Sequence, residues 1–169
     1  MIKPTGQTML SMTSYRLGVG LVILNRRNEI WMGRRRGARG NVLQMPQGGI
    51  DFKSECECIT YMESPYEAAK RELFEETGLH RNLIWRNITI WLSYTFPYTH
   101  QHSKYEEPYI GQRQKWFLVS YTGTDEDVVL GDEFSSWCWM PRRKVVQHTI
   151  QFKQSLYIKI FNLFFNNAY

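Results

Sequence analysis

Glu63-Ser-Pro-Tyr-Glu-Ala-Ala-Lys-Arg71-Glu72-Leu-Phe-Glu75-Glu76-Thr-Gly78-Leu79, preceded by Pro46-Gln47-Gly48-Gly49, is the stretch that decides the fold. Ser64 can cap a helix, and Glu67 three places on completes a capping box. Pro65 falls at the first helical position, where its missing N–H costs nothing. Ala68, Ala69, Lys70, Arg71 and Leu73 favour helix, and Gly78 is a stop signal. Glu72, Glu75 and Glu76 then stand at i, i+3 and i+4, so their carboxylates leave one helix face. Ala69 and Leu73 lie on a neighbouring face suited to a core.

Three like charges so close raise one another's pKa values. A hard divalent cation removes the penalty. Mg²⁺ in particular prefers carboxylate oxygens and completes its shell with water and substrate phosphates. Taken alone, such a cluster reads more simply as a solvated acidic face tempered by Lys70 and Arg71. The wider spacing changes that reading. Arg71-Glu-Leu-Phe-Glu-Glu-Thr-Gly-Leu79 resembles the second half of the Nudix box, R-E-U-x-E-E-x-G-U with U apolar, at every fixed position. Glu63 stands eight residues before Arg71, as the box requires. In one respect the chain departs from the pattern. The box usually leaves about five residues between its glycine and its first Glu, whereas fourteen separate Gly48 from Glu63. The surplus, near residues 52–62 and including Cys56-Glu57-Cys58, is expected to form a surface excursion. Glu55 competes with Glu63 for the first Glu, and Glu63 is preferred for its spacing to Arg71.

The resemblance extends beyond the box. Tyr15-Arg16 with Gly18-Val-Gly20, Gln44-Met-Pro-Gln-Gly-Gly-Ile50, Ile110-Gly-Gln-Arg-Gln-Lys-Trp-Phe-Leu118, Glu133-Phe134 with Trp137-Cys-Trp139, and Gln151-Phe-Lys153 before Tyr157 are similar to the bacterial RNA pyrophosphohydrolase branch, also described as dinucleoside polyphosphate hydrolases. The resemblance implies an α/β (α+β) chain with the Nudix fold, a mixed β-sheet sandwiched between helices. It implies a metal-dependent hydrolase using Mg²⁺ or Mn²⁺. Glu72, Glu75, Glu76, Glu133 and the Gly48 carbonyl match metal ligands. Glu76 or Glu133 would take a proton from water, with Glu72 beside them. Arg16, Arg35 and Lys153 match residues that meet substrate phosphates. Phe152 matches an aromatic that stacks on the first base, and a helix-face core role is an even alternative. Gly49, Glu63, Arg71 and Gly78 match the structural residues of the box. The implied partner is 5′-triphosphorylated RNA, converted to a 5′-monophosphate. The alternatives are a dinucleoside polyphosphate of the diadenosine tetraphosphate type, or an inactive nucleotide- or RNA-binding module. No box carboxylate is lost, which argues against inactivity.

Composition bounds the rest. A chain of 169 residues, 43% hydrophobic and 15% aromatic, suits one domain over 15–169 with a flexible tail at 1–14. No run of about 18 or more apolar residues occurs, and no signal-like segment opens the chain, so a cytoplasmic protein is expected. Three cysteines without partner ligands suit reduced thiols rather than a zinc site. The net charge is +5 despite the acidic helix, with basic residues gathered at 26–27, 34–39, 113–115 and 142–144. That balance suits a polyanionic substrate, although the cluster at 142–144 reads as ordinary solvation. No stable protein partner is inferable.

Strands are expected over 17–24 and 29–34 as a hairpin, over 43–45, 88–94, 112–122 and 136–140, with a long loop over 96–111. Phe152, Leu156, Ile160 and Phe164 recur every four residues, which predicts an amphipathic C-terminal helix.

Overall fold

The computed structural model describes residues 14–38, 40–56, 59–97 and 109–165. Strand β1 (Ser14–Leu24) organises the sheet. Its side chains alternate between two apolar clusters. Val19, Leu21 and Ile23 join Ala68, Ala69 and Leu73 on one face, and Val22 and Leu24 join Leu156, Tyr157 and Ile160 on the other. A strand covered on both sides needs this continuous apolar run.

Around β1 lie β2 (Glu29–Arg35), β3 (Gln47–Gly49), β6 (Leu83–Thr95), β7 (Tyr109–Tyr121) and β8 (Phe134–Pro141). Strand order is β6-β7-β1-β2-β8, with β3 also on β1. The β1–β7 pairing is parallel, from Ser14↔Tyr109 to Leu24↔Ser120, and the other pairings are antiparallel. The sheet is therefore mixed. Helix α1 (Pro65–Thr77) covers one face and α3 (Gln151–Phe165) the other, with a short helical turn, α2 (Arg142–Val145), between β8 and α3. This is the expected sheet between helices. No helix among the described residues is long and apolar enough to cross a membrane.

Helix α1 ends as its sequence dictates. The Glu67 amide donates to Ser64 Oγ at 3.2 Å, and the Ser64 amide donates to Glu67 Oε2 at 2.8 Å. Gly78 takes φ 72° and donates to the Phe74 carbonyl at 2.8 Å, a conformation that favours glycine.

Three sequence expectations are corrected. Residues 43–45 do not form a strand. Only an isolated bridge, Gly33↔Gln44, occurs there, and the strand is β3, just after Pro46. Proline has no N–H to give a ladder, so regular pairing starts beyond it. The long loop is shorter than expected, because Tyr109–Gly111 belong to β7 and Gly111 pairs with Thr95. Residues 98–108 lie outside the described residues, as do 1–13 of the expected tail, while Ser14 already belongs to β1.

The surplus segment forms its own hairpin of β4 (Phe52–Cys56) and β5 (Ile59–Met62), paired Phe52↔Met62 and Lys53↔Tyr61. Glu57 and Cys58 lie outside the described residues. The hairpin is pinched at its base. The Glu63 amide donates to the Asp51 carbonyl at 2.9 Å, and the Asp51 amide donates to Glu63 Oε1 at 3.0 Å. The ends of the hairpin therefore meet, which leaves Gly49, Ile50 and Asp51 between Gly48 and Glu63 once the excursion is set aside.

Candidate active site

Arg71 is the hub of the acidic helix. Its Nη2 donates to Glu63 Oε1 at 2.5 Å and to the Gly49 carbonyl at 2.9 Å, and its Nη1 donates to Glu72 at 2.8 Å and Glu75 at 3.0 Å. Asp51 lies 3.3 Å from the same guanidinium. The Glu63 side chain is fully buried, so this forked, permanently charged partner is what makes its ionised form tolerable. Arg71 thereby ties hairpin base, glycine loop and helix into one unit.

The next face of α1 opens on a cleft lined by Glu72, Glu75, Glu76, Gly131, Asp132 and Glu133. Glu133 enters from the turn before β8, with its side chain about a third exposed. Glu76 is buried. Its Oε2 accepts from the Gln47 amide at 2.9 Å, while its Oε1 is buried without a hydrogen-bond partner. Burial, then the Glu133 and Glu72 charges, push the Glu76 carboxyl well above the usual range. Burial also raises Glu72, with Arg71 opposing it. Gly48 presses on this helix so closely that a side chain there would overlap the Glu72 carboxylate. Its carbonyl oxygen is turned to Gly18 of β1.

The donor set suits a hard divalent cation. It offers oxygens only, carries excess negative charge, and includes one buried carboxylate oxygen with nothing to bond. Among the described residues, however, no three carboxylates converge closely enough to hold an ion as they stand. The reason is Arg71, which draws Glu72 and Glu75 to itself while Glu76 turns to Gln47. Sequence spacing places the carboxylates on one face but does not fix their rotamers.

A second cavity, of about 240 Å³, adjoins the cleft and is walled by Arg35, Gln47, Tyr94, Phe96, Phe152 and Lys153, among others. Phe152 stacks on Tyr94 at 6.0 Å and meets Phe96 edge-on at 6.5 Å. It is half-buried, packed on the core yet lining the cavity. Lys153 is buried and donates to Gln47 Oε1 at 3.0 Å. Desolvation, helped by Arg35, brings its pKa down to about 7. Arg35 Nε lies 3.1 Å from Glu133 Oε1. Gln47 joins both spaces, with its amide on Glu76 and its side chain on Lys153. Acidic cleft, basic boundary and aromatic cavity therefore follow in sequence.

The structure brings Glu72, Glu75, Glu76 and Glu133 together, and Arg35, Phe152 and Lys153 beside them. Arg16 pairs across the strands with Gln112, a wall of the same cavity, and its guanidinium lies against Gly49. Sequence reasoning missed Gln47, Tyr94, Phe96 and Arg36 as cavity walls. Gln47 was visible within the Gln44–Ile50 segment. Tyr94 and Phe96 carried the i, i+2 spacing of one strand face, but Phe96 was assigned to a loop.

The sequence matches the NUDIX domain over residues 14–159. It is 36% identical over 153 residues to an RNA pyrophosphohydrolase of Orientia tsutsugamushi (strain Boryong), covering 89% of each chain. It is 39% identical over 151 residues to an RNA pyrophosphohydrolase of Cereibacter sphaeroides (strain KD131 / KCTC 12085), covering 86% of this chain and 88% of that one. Among solved structures, a C. elegans Ap4A hydrolase superposes with TM-score 0.60 at 20% identity, covering 86% of this chain and 94% of that one. The E. coli dihydroneopterin triphosphate pyrophosphohydrolase gives 0.61 at 18%, covering 87% and 96%. At those identities the structural likeness speaks for the fold.

Proposed function

The chain belongs to the Nudix hydrolase family, whose members generally need divalent metal ions, and from that premise we propose that it removes pyrophosphate from 5′-triphosphorylated RNA to leave a 5′-monophosphate. The observation that carries this reading is the junction of acidic cleft and aromatic cavity across Arg35 and Lys153. A polyphosphate laid along that boundary puts its terminal groups toward Glu72, Glu75, Glu76 and Glu133 and its first base toward Phe152. RNA pyrophosphohydrolases at 35–39% identity support the substrate.

Glu72, Glu75, Glu76 and Glu133 are the residues we assign to Mg²⁺ or Mn²⁺. The Gly48 carbonyl adds only the lone pair that β1 leaves it. The ion supplies polarisation of phosphate oxygens and a more acidic water. Between Glu76 and Glu133, we assign proton acceptance to Glu133, because Glu76 is buried against Gln47 while Glu133 is partly solvated on a turn. Arg16, Arg35 and Lys153 hold phosphate oxygens, Arg16 from beside the cavity wall Gln112. Arg71 positions the carboxylates rather than touching substrate.

The test is turnover of 5′-triphosphorylated RNA against diadenosine tetraphosphate, each with Mg²⁺ and with Mn²⁺. Preference for the small dinucleotide would replace the RNA reading with the dinucleoside polyphosphate one. No turnover of either would leave a binding module.

Two further results are expected. Phe152→Ala should lower activity on triphosphorylated RNA by about 5- to 150-fold, the value of a base stack expressed in the transition state. Because the ring is only half-buried, stability should fall by less than the roughly 3–5 kcal/mol of a core Phe truncation. A large drop in Tm with full activity in the folded fraction would make Phe152 a core residue only. Replacing residues 52–62 by a short turn between Asp51 and Glu63 should preserve metal-dependent activity, since the hairpin closes on its own base. Loss of activity in a folded trimmed protein would put a hairpin residue, Glu55 first, into the site.

A further inference from the structure

The basic segment at 113–115 has no role in the site described above. On β7 the side chains alternate. Gln112 lines the aromatic cavity, whereas Phe117 and Val119 belong to the α1 cluster on the opposite face. Arg113 and Lys115 share that opposite face by period. On β6, Trp91 pairs with Lys115 and Ser93 with Arg113, so they lie on the same face. Arg113 Cζ is 5.5 Å and Lys115 Nζ 5.8 Å from the Trp91 ring centre.

Trp91 is 39% exposed, and on β1 Tyr15 and Leu17, the latter paired with Arg113, are 36% and 37% exposed. Five of these six positions are aromatic, apolar or cationic, the sixth is Ser93, and none is acidic. An exposed indole backed by two cations is the combination that takes single-stranded nucleic acid. The ring offers a stacking surface to any base, and the cations meet the flanking phosphates.

We infer that Trp91, Arg113 and Lys115 form a second RNA-binding platform, which takes nucleotides downstream of the 5′ end. The inference rests on the RNA reading above. Among the described residues, strand β6 is the edge of the sheet. Tyr94 and Phe96 wall the cavity on one side of that edge, and Trp91 and Ser93 face the other side. An RNA leaving the cavity therefore rounds a single strand to reach the platform. A dinucleoside polyphosphate has no strand to send there. The platform accordingly favours longer RNA without reading its sequence.

The experiment compares a triphosphorylated dinucleotide with a triphosphorylated RNA of about eight nucleotides. Trp91→Ala should lower kcat/KM on the longer RNA by about 5- to 150-fold, mainly through KM, and leave the dinucleotide unchanged. Trp91→Phe, which keeps a stacking ring, should retain most of the activity. In parallel, affinity for the same longer RNA bearing a 5′-monophosphate is read by fluorescence anisotropy across a salt series. Arg113→Ala and Lys115→Ala should each flatten the slope of log affinity against log salt by about 0.7. Equal losses on both substrate lengths, or unchanged affinity and slope, would overturn the platform. If the wild-type enzyme hydrolysed neither RNA, the catalytic reading would fail and the binding arm would still decide the platform.

Discussion

Glu76→Gln is expected to reduce hydrolysis by about 10³-fold or more, because metal-ion stabilisation of a phosphoryl transition state is worth several kcal/mol. The fold should survive. Glutamine keeps an oxygen for the Gln47 amide and nearly the same volume. In metal-free protein the substitution should even stabilise. The Glu76 carboxyl is pushed up by burial and by the Glu133 and Glu72 charges, so ionising it works against the folded state. The sign follows from linkage. In both states the group is protonated below its unfolded value of about 4.3. As pH rises above that value toward and through the raised folded value, the unfolded state loses the proton first, and wild-type stability declines. The gain in Tm of Glu76→Gln over wild type should therefore grow with pH across that window and shrink when Mg²⁺ is added. Calorimetry at several pH values, with and without Mg²⁺, reads it. Comparable turnover by a folded Glu76→Gln protein would remove this carboxylate from the mechanism.

Arg71→Ala should give the largest loss of stability. The substitution strips the buried Glu63 of its forked partner and frees Glu72 and Glu75 to repel. Breaking a buried pair by deleting one member typically costs about 3–5 kcal/mol. For a domain of this size that is a fall in Tm of roughly 6–20 °C. Adding Glu63→Gln to Arg71→Ala should recover part of the loss, since it removes the charge left behind. A Tm within a degree or two of wild type for Arg71→Ala would mean that Glu63 is satisfied without Arg71.

These two residues also mark the boundary between what the sequence determined and what only the fold decided. Local chemistry was sufficient for α1. Its Ser64 cap, Pro65 start, Gly78 stop and one-sided glutamates all follow from neighbours within a turn or two, where helix geometry leaves no freedom. The apolar runs of β1 and β7 likewise announced strands buried on both faces. Helix α3 was legible from Leu156, Ile160 and Phe164.

Contacts between distant segments were not legible in the same way. In the sequence, Glu63 against Glu55 was a matter of spacing, and the fold adds that Glu63 closes the hairpin on Asp51 and meets Arg71. A hairpin's ends return to one place whatever its length, and linear distance does not record that. The aromatic cavity joins Tyr94, Phe96 and Phe152 from β6, the residues just after it and α3, and no periodicity links them. Nor does spacing say that Arg71 gathers Glu72 and Glu75, because that is a competition between charges for the same rotamers. The sequence by itself determined which elements form and which residue types the site contains. Tertiary structure decided which of those side chains meet, since burial and charge pairing across the sheet are set by packing between segments far apart in the chain.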